Sequence, residues 1–192
     1  MMSHSFNLLR PFNRFIVTCL LFVAFMLTEE LHSQRIMNLS DSEYLPQLGD
    51  RYTFRLSYSF DHSSINPNID SLLNFLLFNK GVSMEIGVHT NSRGDLEFND
   101  SLSYHTASLI KRFLVTNNID SNRINISGLG ERVPFVIGES GYFSLPKGGT
   151  NYYFRKGDTL NDSYINKLST RERIELIHYL NARIECRITG IQ

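Results

Sequence analysis

Two cysteines in 192 residues are too few for a disulfide scaffold or a cysteine-rich metal site. An excess of one charge is missing as well. Nineteen basic residues face nineteen acidic ones at a pI near 7.0, so no global field draws the chain to nucleic acid or anionic lipid. The six histidines are scattered, with no HExxH or similar pairing. Ser127-Gly128-Leu129-Gly130 is followed by no Lys-Ser/Thr and is not a phosphate loop. No nucleophile–base pair stands out. What is present is an ordinary globular composition, 42% hydrophobic and 20% charged, too apolar for disorder and long enough for one domain with a buried core.

The first 33 residues differ from the rest. Arg10 and Arg14 precede an uncharged apolar run from Phe15 to Leu27 of about 13 residues, short of the roughly 20 that a spanning helix needs. A basic start and a short apolar stretch are the pattern of a secretory signal peptide, with a cut expected after Ser33. The other reading is an uncleaved signal anchor. Cys19 is not a lipoprotein cysteine, because Ile16-Val17-Thr18 lacks the small residue expected before it and the apolar run continues past it. Removing residues 1–33 takes two charges of each sign and leaves 17 of each, with Cys186 as the one remaining cysteine. Export is the expectation.

A polar lead-in over residues 34–50 ends in Pro46 and Gly49-Asp50, and residues 51–60 alternate as a strand. Asp61 to Asn68 is turn chemistry, after which Ile69, Leu72, Leu73, Leu76 and Leu77 recur at helical spacing up to a stop at Asn79-Lys80-Gly81. Residues 82–88 predict a second strand, 90–95 a loop, and 100–116 a second helix whose apolar face is Leu102, Leu109, Ile110, Phe113 and Leu114. Asn117-Asn118 suits a left-handed cap. Residues 122–127 predict a third strand ended by Gly128-Leu129-Gly130-Glu131, and 136–154 a Gly- and aromatic-rich stretch without a period. Ser169 with Glu172 reads as a capping box for a helix over 170–180, and 182–188 alternates as the last strand. The order β-α-β-α-β-(loop)-α-β predicts a single two-layer α/β sandwich, a mixed sheet with helices on one face.

The run Gly87-Val88-His89-Thr90-Asn91-Ser92-Arg93-Gly94, with Asn99 and Leu102-Ser103 behind it, resembles the signature of the OmpA-like C-terminal domain family. Gly128-Leu129-Gly130-Glu131-Arg132-Val133-Pro134 is similar to that family's G-x-G-E-x-x-P. Asn181-Ala182-Arg183-Ile184-Glu185 is similar to its N-R-R-x-E, and Lys156 to Thr170 resembles its long-insert form. The match covers residues 51–192. The resemblance implies a non-catalytic module without cofactor or metal, exported to the periplasm of a Gram-negative envelope and associated with the outer membrane. Its implied partner is peptidoglycan, gripped through the diaminopimelate-containing stem peptide.

A zwitterionic ligand of that kind asks for one anionic and one cationic grip, each charge-assisted bond contributing about 1.5–3 kcal/mol. At the matching positions this sequence has Asn91 for the family's aspartate and Thr106 for its arginine. An amide and a hydroxyl form no ion pair, and losing both contacts costs roughly 3–6 kcal/mol of binding. The resemblance places Thr90, Asn91, Gly94, Asn99, Thr106 and Arg183 around the ligand, with Arg183 the cation left to meet a carboxylate and Gly94 the turn residue. Thr90, Gly94 and Asn99 equally read as residues that maintain the loop whether or not anything binds.

Two functions follow. One is an envelope protein whose peptidoglycan binding is weakened or altered, which predicts an open polar pocket around Asn91 and Arg183. The other is a domain that has lost wall binding and joins an envelope protein assembly, which predicts a closed pocket and exposed aromatics. Tyr142, Phe143, Tyr152, Tyr153 and Phe154 read either as such a surface or, more commonly for aromatics, as packing of the long loop on the sheet. His89 and His105, with Asp95 or Asp100 nearby, make only a weak metal pattern and read as surface or capping histidines.

Overall fold

The computed structural model describes residues 37, 39, 44–55 and 67–192. The expected signal segment, most of the lead-in, residues 56–60 of the expected strand and residues 61–66 of the expected turn lie outside them, while residues 67 and 68 of that turn belong to a helix. β1 is Arg51–Phe54, α1 Pro67–Phe78, β2 Val82–His89, α2 Leu96–Thr116, β3 Ile124–Gly130, β4 Gly141–Phe143 and β5 Tyr152–Phe154. α3 is Asp162–Ile165, α4 Arg171–Asn181 and β6 Arg183–Ile191. The main sheet runs β1-β6-β2-β3. β6 pairs antiparallel with both β1 and β2, and β2 pairs parallel with β3 across the α2 crossover. The expected mixed α/β sheet is what forms.

Alternation decides the two faces of the sheet. Val82, Met84, Ile86 and Val88 of β2 and Ile184, Cys186 and Ile188 of β6 point to one side, where α1 brings Leu72 and Leu76 and α2 brings Ala107, Ile110 and Leu114. Between these residues, Ser83, Glu85, Gly87, His89, Arg183, Glu185 and Arg187 share the opposite face. Arg123 joins the layers. Its Nε donates to the Val82 carbonyl at 2.7 Å, and its Nη2 donates to the carbonyls of Leu76 and Asn79 at the end of α1. A guanidinium there satisfies carbonyls that a helix end leaves without partners. Asn118 adopts φ 68, the left-handed conformation expected after α2.

Three local expectations change. Helix α2 starts at Leu96, a turn earlier than its apolar period suggests, because Asp95 caps it by accepting from the Phe98 N–H at 2.7 Å. Residues 128–130 extend β3 instead of ending it. The capping box at Ser169 does not form. Thr170 is the N-cap of α4 without a side-chain bond, because Glu172 turns away to accept from the Thr150 N–H and Oγ1.

The stretch after β3 holds a second small core rather than lying on the sheet. Ile137, Phe154 and Leu160 pack with Leu176, Ile177 and Leu180 of α4. The β4–β5 hairpin carries Phe143 and Phe154 edge to face on its inner side. Its outer side presents Tyr142, 73% exposed, against Tyr153. The aromatics therefore divide between a buried inner side and an exposed outer side, and the buried ones pack in this second core instead of on the sheet. Asn181 at the end of α4 fastens the second core, its amide donating to the Leu160 carbonyl and accepting from the Phe135 N–H.

Candidate functional site

The 90–95 loop leaves the end of β2 and enters α2. The Thr90 N–H bonds the Gly130 carbonyl at 2.8 Å, which holds the loop to the end of β3. Asn91 is half-buried, and its Oδ1 accepts from the Arg93 N–H at 3.0 Å in a local turn. Gly94 sits at φ 93, where a side chain is strained. Asn99, 2% exposed, fastens this turn from below. Its Nδ2 donates to the Arg93 carbonyl at 3.1 Å and to the Glu131 carboxylate at 2.6 Å.

The glycines after β3 have a physical task here. A Cβ on Gly128 would stand 2.5 Å from the Tyr104 nitrogen, so only glycine lets the α2 backbone lie directly on the strand. Gly130 then donates its N–H to Ser103 Oγ at 3.0 Å. Glu131, which reading the sequence did not single out as a site residue, is what ties Asn99 to this strand end.

The remaining expected residues behave differently. Thr106 is buried, and its Oγ1 donates to the Leu102 carbonyl at 2.8 Å within its own helix. Arg183 is 4% exposed. Its Nε donates to Glu185 at 2.6 Å and its terminal nitrogens to the carbonyls of Val133 and Asn181, with the Phe135 ring 5.4 Å away. The carboxylate that Arg183 meets is thus the chain's own. Burial lowers the Arg183 pKa against the opposing pull of Glu185. Burial pushes the Glu185 carboxyl up, but Arg183 outweighs it and holds the group below its ordinary value.

His89 lies beside this pair, with Nε2 3.8 Å from Glu185 Oε2 and neither ring nitrogen hydrogen-bonded. Burial, reinforced by the Arg183 charge and opposed by Glu185, lowers its pKa to about 4, so the ring is neutral at pH 7. His105 is exposed on α2, across the sheet from His89, and among the described residues no three metal-ligating side chains gather. The odd positions of β2 and β6 also frame a hollow lined by Gly87, His89 and Glu185. Its sequence signal was the polar alternation Glu85-Gly87-His89 and Arg183-Glu185-Arg187.

With this geometry in hand, the chain can be set beside known proteins. It is similar to OmpA-like domains. The OmpA-like domain of FopA1 from Francisella tularensis overlaps 74% of this chain and 73% of its own at TM-score 0.38 and 14% identity. The peptidoglycan-associated lipoprotein from Burkholderia pseudomallei overlaps 71% of this chain and 89% of its own at TM-score 0.44 and 14% identity. A MotB-like protein from Desulfovibrio vulgaris overlaps 71% and 65% at TM-score 0.40 and 14% identity. No protein-family model matches. Outer membrane porin F of Pseudomonas fluorescens is 30% identical over 88 residues, 44% of this chain. A photosystem I P700 chlorophyll a apoprotein A2 from Gloeobacter violaceus is 33% identical over 81 residues, 40% of this chain. The matches span 27% and 9% of those two proteins.

Proposed function

We propose that this chain is a non-catalytic OmpA-like component of a bacterial envelope, exported to the periplasm, that associates with peptidoglycan through the 90–95 loop with a reduced grip. The observation that carries this reading is the built loop itself. Asn99, Asp95 and the Gly130 carbonyl hold residues 90–95 at the end of β2, and Asn91 stands half-exposed where the resemblance puts an acid. Thr90, Gly94 and Asn99 shape the loop, while Asn91 offers an amide oxygen to an ammonium. A partial match to a protein named as an outer membrane porin supports an envelope location.

The reduced grip follows from bonds already spent. The Thr106 hydroxyl is used by the Leu102 carbonyl, and the Arg183 guanidinium by Glu185 and two carbonyls. Neither offers a free cation to a stem-peptide carboxylate. The deficit of roughly 3–6 kcal/mol from two missing charged contacts corresponds to about two to four decades in affinity.

A second reading has its own support. The enclosed Arg183 and the exposed Tyr142–Tyr153 pair fit a domain that contacts an envelope protein instead of the wall. Sedimentation of the purified full-length chain with insoluble peptidoglycan separates the two, run beside an Asn91→Asp/Thr106→Arg variant. Weak binding by the unmodified chain, tightened at least tenfold in the variant, is the result expected for the wall reading. Binding by neither would abandon it in favour of a protein partner.

A further inference from the structure

On the sheet face opposite α1 and α2 lies a recess of about 160 Å³, and its origin is one missing side chain. Arg51, Arg187 and Glu85 stand side by side across β1, β6 and β2, and the next row on that face is Thr53, Glu185 and Gly87. Because Gly87 carries no side chain, that row is hollow at β2. Leu129 walls one side and His89 closes the top. A Cβ on Gly87 would sit 3.1 Å from Leu129 Cδ1 and 3.8 Å from His89 Nε2.

Two groups in the recess lack a close polar partner. The His89 side chain is 1% exposed, and among the described residues neither ring nitrogen makes a hydrogen bond of ordinary geometry, although the Val133 carbonyl acts on the ring. Buried polar atoms in native proteins are nearly always paired with protein, water or ligand. The hollow is far larger than the roughly 30 Å³ share of one water molecule. The second is Arg51. It stands directly opposite Arg187, a like-charge cross-strand pair that is unfavourable without an anion to bridge it. Glu85 is engaged by Arg187 at 2.9 Å and Glu185 by Arg183 at 2.6 Å. Arg51 lies near enough to Glu185 for its charge to help hold that carboxyl down, but among the described residues it forms no ion pair.

We propose that this recess binds a small monocarboxylate, its anion held by Arg51 and Arg187 and its body resting on Gly87 against Leu129 and His89. The lining carries two arginines and two glutamates; Glu85 is bonded to Arg187 and Glu185 to Arg183, which leaves Arg51 as the guanidinium without an ion-paired carboxylate. A flat carboxylate suits the planar fork of a guanidinium. The volume admits a guest of roughly benzene size. The site uses none of residues 90–94 and stands whether or not the chain binds peptidoglycan.

The test is titration of the full-length chain with sodium benzoate, followed by NMR of the His89 ring, with benzamide as the uncharged analogue. Benzoate is expected to shift the His89 signals and saturate in the millimolar range, while benzamide binds at least about tenfold more weakly. The exposed Arg51→Gln variant, which leaves the core untouched, is expected to weaken benzoate about tenfold. Gly87→Ala, which fills the floor of the recess, is expected to abolish saturation. Equal binding of benzoate and benzamide, no saturation at His89, or undiminished binding by Arg51→Gln would each overturn the proposal.

Discussion

Acidification from about pH 7 to about pH 5 is expected to weaken this fold chiefly through His89. The ring is 1% exposed and faces the Arg183 guanidinium, and its folded pKa is lowered from 6.5 to about 4. Between those values the unfolded chain binds a proton that the folded chain refuses, so stability rises with pH across the window. The contribution is complete above about pH 6.5 and is lost as pH falls toward about 4. A difference of that size is worth about 3 kcal/mol in total, of which about 2 kcal/mol is gone by pH 5. Glu185 also has a lowered pKa, so its contribution disappears in the same direction, but only below the ordinary carboxylate range. His178, lowered by burial and by Arg93, shares the upper window, so the wild-type slope alone does not isolate His89. A His89→Phe variant does. It removes two buried polar atoms without partners and is expected to lie within about 1 kcal/mol of wild type at neutral pH. Urea unfolding at intervals from pH 7.5 to 5 should show the variant losing about 2 kcal/mol less than wild type. Parallel pH profiles for the two proteins would refute the assignment.

Four further substitutions test the architecture. Arg183→Met strands Glu185 and two carbonyls, and with Glu185 one-third exposed it should cost about 2–4 kcal/mol in chemical denaturation, partly recovered by adding Glu185→Gln. Gly128→Ala drives a Cβ into the backbone of Tyr104 and should cost about 3 kcal/mol or more, with heightened amide exchange along α2 as its mark. Thr170→Ala should change stability by under about 0.5 kcal/mol in thermal unfolding, because the Thr170 side chain makes no cap bond. Glu172→Ala should lower the melting temperature more than Thr170→Ala does and raise exchange at Thr150, where the Glu172 carboxylate is spent.

The order of the main elements was legible because its signals are local. Leu72 and Leu76 repeat at helical spacing, Met84, Ile86 and Val88 alternate as a strand must, and Asn118 takes the left-handed conformation that asparagine tolerates. The glycines of Gly128-Leu129-Gly130 were visible as a motif, but their reason was not, since it lies in the distance of Gly128 from a helix more than twenty residues earlier. The aromatics of residues 142–154 could not be sorted from sequence either. In a three-residue strand, inside and outside depend on whether α4 covers one side, which is why Phe154 is buried and Tyr142 is open.

The candidate site divides along the same line. Thr90, Asn91, Gly94 and Asn99 fall within ten residues, so their association in one turn was encoded by proximity in the chain and by the special geometry of Gly94. The state of Arg183 was decided by tertiary structure alone. Its partners come from its own strand, from the end of α4 and from Val133 fifty residues earlier, and only their convergence turns an expected free cation into a buried, saturated one. The same holds for the recess at Gly87, which exists because β6 is threaded between β1 and β2 and so brings Arg51, Arg187 and Glu85 into one row. Sequence determines what each residue can donate, accept or bury. Strand order determines which of those capacities meet and which are left for a ligand.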